Sequence, residues 1–424
     1  MSEFRNCLIG DIAEIIGGGT PSTKNEENFG GDIAWITPKD LSDHDAMYIS
    51  KGERSITSTG LKNSSAKLLP ANSILFTSRA PIGYIALAEN EIATNQGFKS
   101  LVLKNDNDPK FFYYLLKNIT PQIKSYASGS TFKEISGKVL SLIPIKIPNS
   151  NVQKRIGQFL EKFDNKIELN KKNNTTLEDL AKALFKSWFI DFDPVRAKAE
   201  GRSTGLPDEI SNIFSDSFED AELGKIPKDW LFTPLDELNE ITMGQSPPGS
   251  TYNESGNGLP FYQGKTDFGF RHPTQRVFCS EPKRLAEQSS TLISVRAPVG
   301  SINLANESCC IGRGVASIKS KKGHHSFTYY LLNGIQSIFD SYNSEGTVFG
   351  AINRNDLSSI SIIKPPSKVR EVFDQFASRI DNKISLGIKE IKLLSSLRDT
   401  LLPKLISGEL EISDAEEMIE EIGI

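Results

Sequence analysis

The sequence predicts an α+β fold: two mixed α/β domains in tandem pseudo-repeat, separated by two long helices that pair as an antiparallel coiled coil. Three observations predict it. Residues Ile156, Leu160, Phe163, Ile167, Asn170, Asn174, Leu177, Ala181, Leu184 and Trp188 follow one another at alternating steps of four and three, the spacing of a coiled-coil seam. A second seam lies 217 residues on, through Phe373, Ala377, Ile380, Ile384, Gly387, Ile391, Leu394, Arg398, Leu401 and Leu405, and Gly387 weakens it. The segments ahead of the two seams repeat at the same offset, so the chain reads as one unit written twice.

The elements follow in order. Residues 1–150 form the first domain, where Ser73–Thr77 and Ser100–Leu103 have strand character and Phe111–Asn118 is apolar enough for a helix packed on a sheet. Ile143–Pro148 reads as a strand that ends before the first long helix, 151–193, for which Asn151 is the expected N-cap. That helix fades at Asp191-Phe192-Asp193-Pro194, because proline disfavours a helical residue before it. A polar connector, 194–228, leads to the second domain, 229–366. The second long helix covers 367–410, and the acidic tail, 411–424, reads as a short or frayed helix.

Motifs carry the repeat inside the domains. Arg79-Ala80-Pro81-Ile82-Gly83 returns 217 residues on as Arg296-Ala297-Pro298-Val299-Gly300, and Gly129-Ser130-Thr131-Phe132 as Gly346-Thr347-Val348-Phe349. Nearer each domain's start the offset widens to 226, where Gly19-Thr20-Pro21 corresponds to Gln245-Ser246-Pro247. The copies share a scaffold and differ in loops, so they bind related but non-identical things.

A helix over Val152–Ile190 is about 60 Å long at ~1.5 Å per residue. Two such helices in one chain pair most simply with each other, although pairing with a second chain uses the same seam. Antiparallel pairing would place one domain at each end of a rod. Fixed spacing of two similar domains suits duplex DNA, whose major-groove faces recur every ~34 Å, and non-identical loops would then read a split, asymmetric sequence.

Composition sets limits. The 424 residues carry a net charge of -4 with 38% hydrophobic and 24% charged residues, at a pI of about 5.8 and a mean hydropathy of -0.30. No apolar run approaches the ~20 residues of a membrane helix, and the N-terminus lacks a signal-peptide pattern. Cys7, Cys279, Cys309 and Cys310 show no metal or disulfide spacing and read as reduced thiols of a cytoplasmic protein. The acidity argues that any DNA affinity is local or shared with a more basic partner.

Further phrases carry a resemblance: Gly18-Gly19-Thr20-Pro21, the Arg-Ala-Pro-Ile/Val-Gly pair, Gln153-Lys154-Arg155-Ile156, the run Phe185-Lys186-Ser187-Trp188-Phe189-Ile190-Asp191-Phe192-Asp193-Pro194, and Leu401-Leu402-Pro403-Lys404-Leu405-Ile406-Ser407-Gly408. Over essentially its whole length the chain resembles the specificity subunits of type I restriction–modification enzymes. The resemblance implies two target-recognition domains that each read half of a bipartite DNA site, with the helices acting as a ruler. It implies two methyltransferase subunits docking on the helices and restriction–motor subunits joining them, with no membrane partner. It also implies that the subunit itself has no cofactor, and that S-adenosylmethionine, ATP and Mg belong to its partners.

The candidate DNA-contacting residues sit on the repeated loops. Arg79 and Arg296 could grip guanine or a phosphate, or pair with an acidic neighbour inside the domain. Gln96 and Arg313 share one slot, with Lys99 just beyond the first, and their chemistries suit adenine and guanine respectively. Thr20, Ser22 and Lys24, and Gln245 and Ser246, lie on Gly-led loops that could enter a groove or be ordinary tight turns. Lys39 and Lys265 follow beside aromatic residues. Ser130, Thr131 and Lys133, with Thr347, complete the set on the hydroxyl-bearing loops.

Enzyme motifs fail on their spacing. Gly264-Lys265-Thr266 imitates a phosphate-binding loop but lacks its first glycine at the right distance. Asp267-Phe268-Gly269 has no catalytic-loop companion, no histidine has a nucleophile partner by spacing, and Asp40, Asp43, His44 and Asp45 read as a solvated turn before a cation site. The expectation is a non-catalytic DNA-recognition subunit. The alternatives are an ATP-dependent enzyme built on Lys265 and a purely structural coiled-coil scaffold.

Overall fold

The computed structural model describes residues 4–129, 133–221, 224–296, 298–344 and 350–422. Its contacts divide the chain into two units, Met1–Lys172 with Ile388–Ile424, and Asn173–Gly387. Each unit is a mixed domain joined by part of both long helices.

The duplication is visible in strand order. In the first unit β1 (Ala13–Gly17), β2 (Tyr48–Ile49), β3 (Ile74–Ser78), β4 (Ile82–Ala88) and β5 (Lys99–Leu103) form a sheet ordered β1-β5-β3-β4-β2. In the second, β6 (Asn239–Met243), β7 (Thr291–Val295), β8 (Val299–Leu304) and β9 (Val315–Ser320) are ordered β6-β9-β7-β8. Pairings along β1-β5-β3-β4 and along β6-β9-β7-β8 are all antiparallel. Registers match too: Gly17 faces Lys99, and Met243 faces Ala316. Beside each sheet runs a second strand set, with Phe29–Ile36 parallel to Ile92–Thr94 and Leu259–Tyr262 parallel to Cys309–Ile311.

One amphipathic helix closes each sheet. α1 (Pro109–Ser125) starts with proline in its first turn, and the Asp108 carboxylate accepts from the Phe111 amide at 2.8 Å. Its run from Phe111 to Leu116 is buried throughout, because one face meets the sheet and the other meets a long helix. Burying a large apolar side chain is worth roughly 1.5–3 kcal/mol, so this run is a main anchor of the first core.

α2 (Ser150–Phe189) begins one residue earlier than expected. Its cap is Asn149, whose side chain accepts from the Val152 amide at 3.1 Å, not Asn151, which lies inside the helix. The second-domain counterpart of α1 is α3 (His325–Gly334), buried from Ser326 to Leu332. α4 (Ser367–Ser407) runs through Pro403 and stops at Gly408, whose φ of 79° is left-handed. The acidic tail holds a helix, α5 (Ile412–Ile422), with Ile412 and Ala415 buried in the first core.

The two long helices pair antiparallel. In the first unit Asp164 meets Arg398 and Lys166 meets Glu390, and in the second Asn174 lies against Gly387 and Phe185 against Phe373. Rising numbers on α2 thus meet falling numbers on α4. Ile156, Leu160, Phe163, Ile167, Trp188, Phe373, Ile384, Leu394, Leu401 and Leu405 are buried as the heptads require, while Ile380 and Ile391 are partly covered.

Past Asn174 the seam of α2 drifts. Glu178 and Phe185 are buried where the heptads named Leu177 and Leu184, which stay half-buried. A straight helix turns ~20° per heptad away from a seven-residue repeat. Here the drift is held by an aromatic cluster of Phe185, Trp188, Phe189, Phe327 and Phe373, with ring centroids 4.8–6.2 Å apart. The connector adds Phe214, whose ring stands edge-on to Trp188 at 5.0 Å, and it contains a short helix, Asp193–Ala199.

Gly387 is not a flaw in the seam. A Cβ there would lie 2.4 Å from Asn174 Oδ1, so the glycine makes room for a buried amide. Gly387→Ala alone is expected to lower the melting temperature, since overpacking of about 1–3 kcal/mol outweighs a helix-propensity gain of at most about 1 kcal/mol. Adding Asn174→Ala should restore it. Thermal melts of the two variants check this, and a stabilised single variant would contradict the close packing.

Candidate nucleic-acid interface

In the first unit three loops converge at one end of the sheet because glycines let the backbone close up. Gly19 donates to Thr94 O at 2.9 Å and its own carbonyl accepts from Trp35 Nε1 at 3.0 Å. A Cβ on Gly18 would sit 2.0 Å from Asn95 O, and one on Gly19 2.2 Å from Ala66 N, so neither position tolerates a side chain. This packing sets Thr20 beside Gln96, and the Thr20 hydroxyl donates to Gln96 Oε1. Asn95 Oδ1 accepts from the Gly97 amide at 2.8 Å, and a Cβ at Gly97 would meet Pro38 at 2.9 Å, which places the Lys39 turn next to the Gln96 turn. Thr20, Ser22, Lys24, Lys39 and Gln96 are all exposed.

Arg79 and Lys99 sit beside this surface, because Ser78 donates to Gly97 O at 2.8 Å and Lys99 pairs with Gly17. Both cations share one carboxylate: Glu134 lies 3.5 Å from Arg79 and 3.8 Å from Lys99. The acidic neighbour weighed for Arg79 is thus present, on a half-exposed side chain. Lys39 is likewise paired, with Glu53 at 2.7 Å, and Lys133 is exposed. Ser130 and Thr131 lie outside the described residues, as does Thr347 in the second copy.

The second unit builds the same surface with other tips. Gly244 donates to Val315 O at 2.9 Å, Gln245 to Ile311 O at 3.0 Å, and Gly312 to Tyr262 O at 2.8 Å. A Cβ on Gly244 would lie 2.1 Å from Gly312 O, and one on Gly314 2.2 Å from Gln263 O. The Arg313 amide donates to Ser246 Oγ at 3.3 Å, so Ser246 and Arg313 stand together as Thr20 and Gln96 do. Gln245, Lys265, Arg296 and Arg313 are exposed. Arg296 faces Ala351 across the same kind of bridge that joins Arg79 to Glu134, so the carboxylate position of the first domain is an alanine in the second.

Several residues that hold these loops are not themselves candidate contacts. Trp35 and Asn95 brace the first. Asp267 accepts from the Gln263 amide at 2.7 Å and pairs with Arg276, bracing the Lys265 turn. Glu134 was visible only as a change to Ala351 at the shared offset.

Among the described residues, the loops bring together no catalytic constellation. Gly264-Lys265-Thr266 leads into a single turn of 3-10 helix, Lys265–Asp267, without the long helix that follows a phosphate-binding loop. Burial alone would raise the Asp40 carboxyl, but hydrogen bonds from Thr37 and the Glu53 amide hold it below the ordinary range. Asp45 pairs with Lys171, and His44 Nε2 contacts Tyr48 O at 3.0 Å, so the acidic turn is spent on the fold. Burial, with Cys310 beside it, pushes the Cys309 thiol up to about 12, far from a reactive thiolate. Among the described residues no group of three or more His, Cys, Asp or Glu could hold a metal ion, and no helix is long and apolar enough to cross a membrane.

Comparison with known proteins agrees with this architecture. The family model described as type I restriction modification DNA specificity domain matches residues 1–179 and again 227–394. The MjaIX specificity subunit of Methanocaldococcus jannaschii is 32% identical, over 96% of this chain and 93% of its own. The HindI specificity subunit of Haemophilus influenzae is 25% identical, over 97% of this chain and all of its own. A crystal structure of the type I restriction–modification S subunit from M. genitalium shares the fold, with a TM-score of 0.59 at 19% identity, covering 95% of this chain and 96% of that one. The chain belongs to the type I restriction–modification DNA specificity family, as a specificity subunit with two tandem copies of the recognition domain.

Proposed function

We propose that this chain is the non-catalytic recognition subunit of a type I complex, in which each domain reads one half of a bipartite, asymmetric duplex target and the long helices set the gap. The observation that carries this reading is the pair of loop surfaces. In both domains the same backbone loops are closed by glycines that admit no side chain, while the tips differ: Thr20 against Ser246, Gln96 against Arg313. A constant backbone with changing tips is what two related readers of different sequences require, because phosphate contacts position a protein and base-edge contacts specify.

The chemistry of the tips fits. Gln96 Oε1 keeps a lone pair beyond the one Thr20 occupies, and its amide hydrogens stay available, which suits the donor–acceptor pair on adenine. The Arg313 guanidinium suits the two acceptors of guanine. Two methyltransferase subunits and the restriction–motor subunits supply the chemistry, with S-adenosylmethionine, ATP and Mg bound by them, in the cytoplasm. The chain positions that chemistry.

Two outcomes follow for methylation mapping in cells that carry this chain and its partners. Arg313→Gln is expected to change a base in one half-site and leave the other intact, with Gln96→Arg doing the converse, each at about 1–3 kcal/mol of discrimination. Changes in both halves together would contradict independent readers. Inserting four residues into each long helix, about 6 Å at ~1.5 Å per residue, should lengthen the unread gap by one to two base pairs. An unchanged gap would remove the helices' role as spacer.

A further inference from the structure

One charged side chain of the second unit lies entirely inside it. Arg271 is 1% exposed, and it reaches from a loop of the recognition domain to both long helices. Its Nη1 pairs with Glu178 of α2 and its Nη2 with Asp381 of α4. Nη1 also donates to the Tyr330 hydroxyl at 3.2 Å, and the guanidinium carbon stands 3.9 Å from the centre of the Tyr329 ring. The carboxylates are filled from the other side. Tyr329 donates to Glu178 at 3.1 Å, and Tyr330 and Ser326 donate to Asp381 at 2.9 and 2.6 Å.

The loop that carries Arg271 is cross-braced by hydrogen bonds and starts at the Lys265 turn. Thr274 donates to Asp267 O at 2.8 Å, Gly269 to His272 O at 3.2 Å, Leu304 to Arg271 O at 2.9 Å, and Asn303 Nδ2 to Gly269 O at 2.9 Å. Three residues separate Asp267 from Arg271. This guanidinium therefore ties the loop that follows the Lys265 turn to both helices.

The first unit solves the same problem differently. Asp164, the counterpart of Asp381, accepts from Tyr114, but its arginine is Arg398, which comes from α4 itself. The first domain's own loop reaches α2 through Asp45 and Lys171 at 2.9 Å, with the Asp45 side chain 80% exposed. An exposed pair of that kind fixes little. A buried ion network is different: its desolvation cost offsets most of its attraction, so it adds little net stability, while its geometry is demanding.

We infer that Arg271 is a positioning residue that fixes the second domain's DNA-facing loop to the helical pair and thereby sets how faithfully that domain reads its half-site. This rests on the DNA-reading role of the domains. The test uses the complex reconstituted with its methyltransferase partners and a panel of duplexes carrying single-base changes in either half-site. Arg271→Ala alone would leave Asp381 without a cation and Glu178 with only Lys182, at 3.4 Å, so the informative variant is Arg271→Met with Glu178→Gln and Asp381→Asn, which keeps acceptors for both tyrosines. Its melting temperature is expected to stay within a few degrees of the parent, and its discrimination at one half-site to fall by about ten-fold, the scale of one base contact, with the other half-site unchanged. Arg271→Lys, which keeps the charge, should recover part of that discrimination. Unchanged discrimination in the triple variant would overturn the inference, as would an equal loss at both half-sites. A parent complex without a bipartite target would instead sink the DNA-reading role itself.

Discussion

Neither recognition domain is closed by its own residues. Each buries its main helix against α2 and α4, which reach it from opposite directions along the chain. In the first unit the face bearing Phe159, Leu160 and Phe163 shares one core with Phe111–Leu116 and with Leu394, Leu401 and Leu405. In the second, Phe185, Trp188 and Phe189 share one with Phe327–Leu332 and Phe373. Side chains of this size carry roughly 1.5–3 kcal/mol each when buried, so a cut after residue 150 would expose much of what stabilises the domain. The antiparallel seam thus sets where each domain ends.

Much of this was legible because duplication makes a sequence compare itself. The constant offset announced two domains, and the four–three steps announced two helices. The same comparison marked the loops whose tips differ between the copies. What it could not show was convergence. Residues 20, 39 and 96 are far apart along the chain, and only the close contacts at Gly18, Gly19 and Gly97 bring them to one surface. Nor could it show the drift from Leu177 and Leu184 to Glu178 and Phe185, because heptad counting assumes a regular seam and the aromatic cluster overrides it. Arg271 was invisible for another reason: it sits in a loop where the copies differ in length, and a lone arginine there reads as solvated.

The two surfaces also handle charge differently, which bears on how an acidic chain contacts DNA. In the first domain Glu134 sits between Arg79 and Lys99, and Glu53 occupies Lys39. A phosphate approaching these cations competes with carboxylates already in place, so net attraction is small until several contacts form together. In the second domain the Glu134 position is Ala351 and the Lys99 position is Ala316. The cations there are fewer, without a built-in carboxylate at that position. Phosphate attraction supplies affinity and salt sensitivity without sequence information. A surface that keeps it low leaves base-edge contacts to decide among targets, and a net charge of -4 is then compatible with reading DNA, provided the surrounding assembly holds the duplex in place.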